Sequence, residues 1–365
     1  AALVEGCTAA AGRHAGDPVA AIFAVRAMRR RELFRVAAAD LLGQLDVRAV
    51  GDAMANLTDA TMHAALEAAR TAVGSDPALR FAIIGVGRLG GWEMSYPSDA
   101  DVLFVYEPPA GMAEDQANGA ALAIAEELRR LLSRPAPDPP LGIDADLRPE
   151  GRQGPLVRSL AAYQQYYARW SKTWEAQALL RARFVCGDTD LGATFLTVAD
   201  RMRYPATGLT REQIVEIRRI KARVDSERLP RGADPATHTK LGKGGLADIE
   251  WTAQLLQLQH GHAVPGLRTT RTIEALEAAR DADLIGAADA TALCEAWINA
   301  SRVRNALTLV RGSATNQLPR SGTDLVAVTR VLGRPVGTEP GEFIDEYLRV
   351  ARRARQAVER IFDAV

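Results

Sequence analysis

Residues Phe81–Tyr106 read FAIIGVGRLGGWEMSYPSDADVLFVY: an apolar run, a glycine-rich turn, and a second apolar run headed by two aspartates. Gly85, Gly87 and Gly90 match G-x-G-x-x-G, the glycine spacing of dinucleotide-binding folds. Such a fold also needs a helix of ordinary length after the turn and an acidic residue about 20 residues further on. Only WEMSYP follows the last glycine before the next motif, and Pro97 stops a helix there. The sequence therefore excludes a dinucleotide fold, and without G-K-[ST] it also excludes a P-loop.

The aspartates after the turn indicate a metal site. Asp99 and Asp101 are two residues apart at a strand start, so alternation places both on one face, roughly 6.6 Å apart along the strand. Two like charges at about 4 Å repel by about 4 kcal/mol at an effective dielectric of 20, which favours a cation between them. Hard oxygen ligands favour Mg²⁺, which takes one or two carboxylates and substrate phosphate. A solvated turn is the alternative that the spacing alone leaves open.

The order of strand, glycine turn, short helix, Ser98-Asp99-x-Asp101 and second strand resembles the nucleotidyltransferase superfamily that includes DNA polymerase β. The resemblance implies a third carboxylate on a neighbouring strand. Asp144 in GIDADLRPEG is the best candidate, because it follows an apolar pair in another short strand. Asp146 lies on the same face by alternation, so the residues alone leave both open.

Composition limits the classes of partner. The 365 residues suffice for two or three domains, and 45 Lys plus Arg balance 45 Asp plus Glu. A neutral chain gives no sign of a nucleic-acid partner and argues against a nucleotidyltransferase that acts on nucleic acid. No apolar run approaches the about 18 residues of a membrane span. Cys7, Cys186 and Cys294 are far apart, so we expect a reduced, cytoplasmic protein without structural zinc.

Hydrophobic periodicity predicts an α+β fold in three parts. These are an N-terminal helical segment (1–75), a small mixed-sheet domain (76–160) and a C-terminal all-helical bundle (161–365). The resemblance implies that the sheet domain is a polymerase β-like nucleotidyltransferase domain. A capping box from Thr210 to Gln213 opens one bundle helix. The helices predicted in the bundle are Leu160–Leu180, Thr210–Leu229, Leu246–His260, Thr272–Arg280, Ala288–Arg311 and Gly341–Ile361.

Most of the chain resembles one family within this superfamily. The stretches GVGRLGGWEMSYPSDADVLFVY, IDADLRPEGRQGPLV, KLGKGGLADIEW and the N-terminal MRRRELFRVAAADLLGQLDVRAVGDAMANLTDA are similar to those of the glutamine synthetase adenylyltransferases. These bifunctional enzymes add AMP to a tyrosine of glutamine synthetase and remove it. The family pattern V-D-x-R-L-R-P-S-G places the third acid on Asp144. Asp146 then replaces an Arg and Glu150 replaces a Ser, two departures that change the local charge balance.

Members of the family carry two nucleotidyltransferase halves, and this chain holds one. Trp92 resembles the adenylylating, C-terminal half, and the chain also ends like a natural carboxyl terminus. The resemblance thus implies transfer of AMP from ATP to the tyrosine hydroxyl, which lowers the activity of glutamine synthetase in nitrogen regulation. One alternative is the deadenylylating half, which uses phosphate to release ADP. Another is a regulatory module that binds nucleotide without chemistry.

The resemblance also assigns the site residues. Two Mg²⁺ ions would be held by Asp99, Asp101 and Asp144, and Asp144 would help to accept the tyrosine proton. The residues around these acids are expected to bind the nucleotide; the alternative is that the glycines and the serine only shape the turn and that the arginine side chains are solvated. The predicted nucleotide-binding residues are Gly87, Arg88, Gly90, Gly91, Ser98 and Arg148.

KLGKGGLADIEW follows a loop and opens a helix at Leu246, which suggests a second anion site. The alternative is the start of a helix with ordinary capping. The residues of this second site would be Lys240, Lys243, Gly244, Gly245, Asp248 and Glu250.

Two further groups of side chains are read as structural. The helix EIRRIKARVDSER interleaves acids with its basic residues, so a solvated face is expected rather than a nucleic-acid track. Aromatic residues at helical spacing are expected in the core, with the border of the active cleft as the alternative. They are Tyr163, Tyr166, Tyr167, Trp170 and Trp174.

The resemblance implies glutamine synthetase as protein substrate and a PII-type signal protein and glutamine as regulators. No nucleic-acid or membrane partner is expected. No residue of the sequence identifies where the regulators bind.

Overall fold

Five short strands form a mixed sheet, of which the sequence predicts the first three. They are β1 (Arg80–Gly85), β2 (Ala100–Glu107), β3 (Ile143–Asp144), β4 (Val157–Ser159) and β5 (Arg183–Gly187). β1 lies between β2 and β5 and is antiparallel to both. The other edge of β2 pairs in parallel with β3 at its start and with β4 further along. The end of β1 and the starts of β2 and β3 therefore meet at one end of the sheet.

The computed structural model describes residues 2–364, which fall into two compact units. The first contains the residues up to Ala38, Arg48–Met94 and Ser98–Met202. The second contains Ala39–Val47, Ser95–Pro97 and the residues from Arg203 onward.

Helices make up the rest of the first unit. The N-terminal segment is helical, as predicted, with α1 (Ala2–Gly12), α2 (Pro18–Leu41) and α3 (Val47–Val73). The single turn α4 (Gly87–Gly90) follows β1, and the amphipathic α5 (Glu114–Ser133) follows β2. The later helices are α6 (Leu160–Arg169), α7 (Thr173–Leu179) and α8 (Thr189–Arg203). The sheet packs on α6 and α8 through a core that includes Ile84, Val105 and Phe195.

Two predictions for residues 160–190 are wrong. The single helix predicted over Leu160–Leu180 is two helices, because Glu175 accepts hydrogen bonds from the Lys172 amide (2.8 Å) and the Tyr166 hydroxyl (2.9 Å) and so starts α7 anew. The predicted all-helical region from 161 also contains β5, which completes the sheet on the β1 edge.

The aromatic side chains of this region divide between core and surface. Tyr163, Tyr166 and Tyr167 are buried, as expected of core residues. Trp170, at the break between the two helices, is 70% exposed, so its placement in the core is wrong.

The part of the second unit from Arg211 to Ala364 is helical. Its elements are α9 (Arg211–Glu227), α10 (Leu246–His260), α11 (Thr272–Asp281), α12 (Ala287–Arg311), α13 (Thr323–Val331) and α14 (Pro340–Ala364). The Thr210 capping box is confirmed: the Thr210 hydroxyl accepts from the Gln213 amide, and the Gln213 side chain accepts from the Thr210 amide. α13 was not predicted. None of the helices in the described residues is long and apolar enough to cross a bilayer.

Candidate active site

The predicted acidic residues lie at the shared end of the sheet. In the parallel pairing of β2 and β3, Asp101 is the register partner of Asp144, and neighbouring strands lie about 4.8 Å apart. Asp99 directly precedes β2, where the Ala100 amide donates to the Gly142 carbonyl at 2.8 Å. Because side chains alternate along a strand, Asp99 is on the same face as Asp101. The three acids predicted from the sequence therefore come from adjacent backbone positions.

Two glycines make room for these carboxylates. A Cβ at Gly87 would overlap Oδ2 of Asp101, and a Cβ at Gly142 would overlap Oδ1 of Asp99. Gly87 also has a φ of +54°, in the left-handed region that glycine tolerates best. The Val86 amide donates to the Asp101 carbonyl at 2.9 Å, which joins the turn to β2. The glycine turn and the acidic motif thus form one local structure. Gly142 was not recognised from the sequence.

The loop after β3 separates the roles of its two aspartates. Asp144 Oδ1 accepts the Asp146 amide at 2.7 Å. Asp146 lies beyond the strand and pairs with Arg152 at 2.5 Å and Arg148 at 3.6 Å. The register with Asp101 therefore favours Asp144 as the third acid, while Asp146 serves as a counter-ion within the loop.

The glycine turn is fixed from the side of β5 and α3 by residues that were not singled out in the sequence. Arg183 donates to both oxygens of Asp59 (2.7 and 2.9 Å) and to the Leu89 carbonyl (3.1 Å). Its guanidinium also stacks on the Trp92 ring, 3.9 Å from the centroid. Burial raises the pKa of the Asp59 carboxyl, against the opposing effect of the Arg183 hydrogen bond. Trp92 itself has a φ of +58°, a conformation that these contacts hold in place.

A buried ion pair adds a second support. Arg181 and Glu93 are 2.8 Å apart, with side chains only 7% and 5% exposed. A Cβ at Gly90 would overlap the Arg181 carbonyl, so this glycine permits close backbone packing. The amides of Gly90 and Gly91 donate to the carbonyls of Val86 and Gly87 within the turn.

The predicted nucleotide-binding arginines both have contacts to the chain. Arg88, in the turn, donates to the Glu93 carbonyl at 3.1 Å. Arg148 donates to the carbonyls of Ala145, Arg152 and Gly154, each at 2.9 Å, and thereby organises the loop after β3. Ser98 is half-buried directly before Asp99. A nucleotide role of these residues stays a prediction.

The acids are suited to Mg²⁺ in their chemistry and register. Among the described residues, no three His, Cys, Asp or Glu side chains converge closely enough to form a ready metal cage. Mg²⁺ is usually bound by only one or two carboxylates and completes its coordination with water and phosphate. The Asp101–Asp144 pair, with Asp99 beside it, meets that smaller requirement.

The second predicted anion site has a different arrangement. The Gly244 amide donates to Asp248 Oδ2 at 2.7 Å, and the Gly245 amide donates to the Gly242 carbonyl at 2.9 Å. Asp248 is buried and pairs with Lys221 of α9 and with Arg355 of α14 at 3.3 Å. Lys221 is therefore not on a solvated face, which corrects the expectation for this side chain of the basic helix.

The other members of the predicted second site are less enclosed. The Lys243 amide donates to the Pro235 carbonyl at 3.1 Å, and the Ala247 amide to the Lys240 carbonyl at 2.9 Å. Both lysine side chains are exposed, and Glu250 is half-buried on α10. The backbone amides assigned to a phosphate thus already donate within the chain.

Comparison with known proteins gives two family matches. The model of glutamate–ammonia ligase adenylyltransferase matches residues 8–198, and that of GlnD PII-uridylyltransferase matches residues 218–362. The first match covers Asp99, Asp101 and Asp144, and the second covers α10 to α13 together with most of α9 and α14.

Curated relatives are similar over almost the whole chain. A bifunctional glutamine synthetase adenylyltransferase/adenylyl-removing enzyme of Streptomyces coelicolor is 55% identical over 377 residues, covering 100% of this chain and 38% of that protein. The enzyme of the same name from Nocardia farcinica is 53% identical over 364 residues, covering 99% and 36%. The chain thus spans well under half the length of these relatives. Since the first family model covers more than half of the 365 residues, the chain belongs to the glutamate–ammonia ligase adenylyltransferase family.

Proposed function

We propose that this chain transfers AMP from ATP to a tyrosine hydroxyl of glutamine synthetase. The observation that carries the proposal is the end of the sheet where Asp101 and Asp144 are in register beneath a glycine turn and Asp99 adjoins them. The names of the relatives supply the substrate class.

Asp99, Asp101 and Asp144 are proposed to hold Mg²⁺, with two ions in the full site. When bound, the metal would stabilise the negative charge that develops on the phosphate oxygens. The start of the glycine turn, at Gly87, is proposed to receive the triphosphate, with Ser98 as a hydrogen-bond donor and Arg88 as a counter-charge. Gly90 and Gly91 shape the turn, and Arg148 supports the loop that carries Asp144.

The chemistry requires an in-line attack of the tyrosine oxygen on the α-phosphate, with pyrophosphate leaving. A tyrosine hydroxyl has an ordinary pKa near about 10, so at neutral pH it must lose its proton as it attacks. Asp144, next to Asp101 on the neighbouring strand, is the residue proposed to accept that proton. The cytoplasm, where ATP and reducing conditions are found, is the proposed compartment.

The adenylylating half is proposed because Trp92 resembles that half in sequence; its ring packs on Arg183 beside the turn. The relatives are named for both activities, so the phosphate-dependent removal of AMP is the second candidate. A PII-type signal protein is proposed as a regulator, because the segment 218–362 resembles a PII-uridylyltransferase. Glutamine is proposed as a regulator on the family resemblance alone.

The test is to incubate the chain with Mg²⁺, ATP labelled in the α-phosphate, and unmodified glutamine synthetase. Transfer of label is expected with the unmutated chain and should fall by at least about 100-fold in Asp99→Asn/Asp101→Asn, because charge stabilisation at the phosphate is lost. Asp115→Asn, an exposed acid on α5, is the matched control and should retain the full rate.

Each other outcome has a defined meaning. Release of ADP from modified glutamine synthetase with phosphate, without transfer to the unmodified protein, would identify the adenylyl-removing half. ATP binding without transfer to or from either form would favour a non-catalytic module. An unchanged rate in the double variant would remove the metal site from the proposal.

A further inference from the structure

The segment Ser95–Pro97 occupies an unusual place in the chain. It links the glycine turn to Ser98 and the acidic motif, yet it belongs to the second compact unit, while the residues on either side belong to the first. Its three residues are followed by Asp99 after a single intervening position.

A helix about 200 residues later in the sequence holds the first residue of this segment. Arg304 of α12 donates from Nη1 to the Ser95 hydroxyl at 2.7 Å, and the two residues are only 7% and 4% exposed. Arg304 Nε donates to the Asn316 side chain at 2.8 Å. The Asn316 carbonyl in turn accepts the amide and hydroxyl of Thr239, at 2.7 and 3.0 Å. The guanidinium is therefore fixed at both ends, and its bond to Ser95 is buried.

The next residue has its own anchor. The Tyr96 hydroxyl donates to Asp40 Oδ2 at 2.8 Å. Burial raises the pKa of the Tyr96 hydroxyl, and the hydrogen bond to Asp40 acts in the same direction, so the tyrosine remains a donor at neutral pH. Burial likewise raises the pKa of Asp40, against the hydrogen bond from Tyr96 and the charge of Arg302.

Pro97 limits the freedom between these anchors and the acids. A proline ring fixes φ near −65° and restricts the residue before it to extended conformations. Tyr96 is that restricted residue. With Ser95 and Tyr96 tied and Pro97 stiff, few backbone torsions remain before Asp99.

We propose that Arg304 and Asp40 are positioning residues for the acidic motif. They hold Ser95 and Tyr96, and through this stiff segment they set how Asp99 and Asp101 receive Mg-ATP. The inference rests on the proposed function for its ligand, whereas the order that Arg304 imposes on Ser95–Pro97 does not depend on it. Through the hydrogen bond from Arg304 to Ser95, a structural change in the second unit would alter nucleotide binding at the acidic motif.

The first experiment measures backbone amide exchange in the full chain. In Arg304→Met, the backbone amides of residues 95–101 other than Pro97 are expected to exchange about tenfold faster, since a local anchor is lost. Arg311→Met, on the same helix but paired with Asp324 near the surface, is the matched control and should leave this exchange unchanged. Ser95→Ala removes the same hydrogen bond with a milder change and covers the case in which Arg304→Met fails to fold.

The second experiment measures Mg-ATP affinity by calorimetry, without glutamine synthetase. Ser95→Ala and Arg304→Met are each expected to weaken binding about tenfold, and the double variant no further, because both remove the same Arg304–Ser95 hydrogen bond that ties the segment. Asp40→Ala should weaken binding similarly, whereas Asp40→Asn should restore it, since an amide oxygen can still accept from Tyr96.

The outcomes separate this inference from the proposed function. Unchanged exchange at 95–101 and unchanged Mg-ATP affinity in folded Arg304→Met would overturn the inference, as would effects of Ser95→Ala and Arg304→Met that multiply. If the unmutated chain neither binds Mg-ATP nor transfers AMP, the proposed function is rejected and the positioning of the acids for this ligand with it. The exchange result then decides only whether Arg304 orders the segment.

Discussion

The two glycine turns of this chain, GVGRLGG and KLGKGG, resemble each other in sequence but differ in where the nearest acid lies. In the first, Gly87 faces Asp101, a carboxylate on a neighbouring strand. In the second, the Gly244 amide donates to Asp248, a carboxylate in the first turn of the helix that follows. Glycine spacing alone therefore does not identify a phosphate site. Both turns have amides that donate within the chain, so they differ in whether the nearest acid caps the following helix or lies on a neighbouring strand beside another acid.

The charge around the two acids differs in the same sense. Asp248 has Lys221 and Arg355 as buried or partly buried counter-ions, so its charge is compensated by the chain. Asp101 lies in register with another acid, Asp144, on the neighbouring strand. The comparison thus separates a turn that stabilises the fold from a turn proposed to serve a ligand.

The largest expected effect comes from removing the acid of the second turn. Asp248→Ala leaves Lys221 and Arg355 without their shared partner and should lower the free energy of unfolding by about 3 kcal/mol, measured by urea denaturation. Asp324→Ala, which breaks the exposed pair with Arg311, should cost less than about 1 kcal/mol. If Asp248→Ala loses Mg-ATP affinity while its stability is unchanged, the second turn binds nucleotide and the proposed difference between the two turns is wrong.

The first turn is tested by filling the space beside its acid. Gly87→Ala should displace Asp101 and reduce AMP transfer about 100-fold, because small misplacements in a catalytic site have effects of that size. Gly111→Ala is the control, since Gly111 also has a positive φ (+86°) but open space around its Cα. It should reduce stability by about 1 kcal/mol and leave transfer unaltered. Equal transfer rates in the two variants would show that the place of Asp101 is unimportant.

A smaller effect is expected on the pH dependence of stability, through His238 next to the second turn. Burial lowers the pKa of His238, whose Nδ1 accepts the Leu241 amide at 2.9 Å. The unfolded chain, with an ordinary histidine pKa of 6.5, therefore binds the proton more readily than the folded chain. Stability is complete above about pH 6.5 and declines as pH falls toward the folded-state pKa.

His238→Asn keeps an acceptor but does not titrate. Between pH 7.5 and 5.5, it should lose less unfolding free energy than the unmutated chain, by urea denaturation at each pH. If His238→Asn and the unmutated chain lose the same unfolding free energy, protonation of His238 does not contribute to the pH dependence of stability.

Local patterns in the sequence predicted much of the fold. The bounds of α10 agree with the prediction, and the capping box at Thr210 is confirmed, because both depend on residues within a few positions. The acidic motif was singled out for the same reason, and its metal role stays a prediction. Strand β5 was missed because its five residues show no clean alternation and pair only with β1, about 100 residues earlier.

The parts of the site that the sequence did not reveal depend on distant contacts. Arg181 and Arg183 reach the glycine turn from the region of β5, and nothing near residue 90 indicates them. Gly142 gains its role only when β3 pairs with β2 and Asp99 lies against it. The break at Trp170 has no glycine or proline to signal it, since it results from the caps that Glu175 provides.

The late arrival of β5 has a consequence for synthesis on the ribosome. β1 and β2 can form a hairpin once residue 107 has emerged, but the other edge of β1 has no partner until residues 183–187 follow. At typical rates of translation this is a delay of about 4–16 s. During that interval the apolar edge Phe81–Ile84 is a template for pairing with another chain. The nascent chain therefore passes through a period in which chaperone capture of this edge protects it from aggregation.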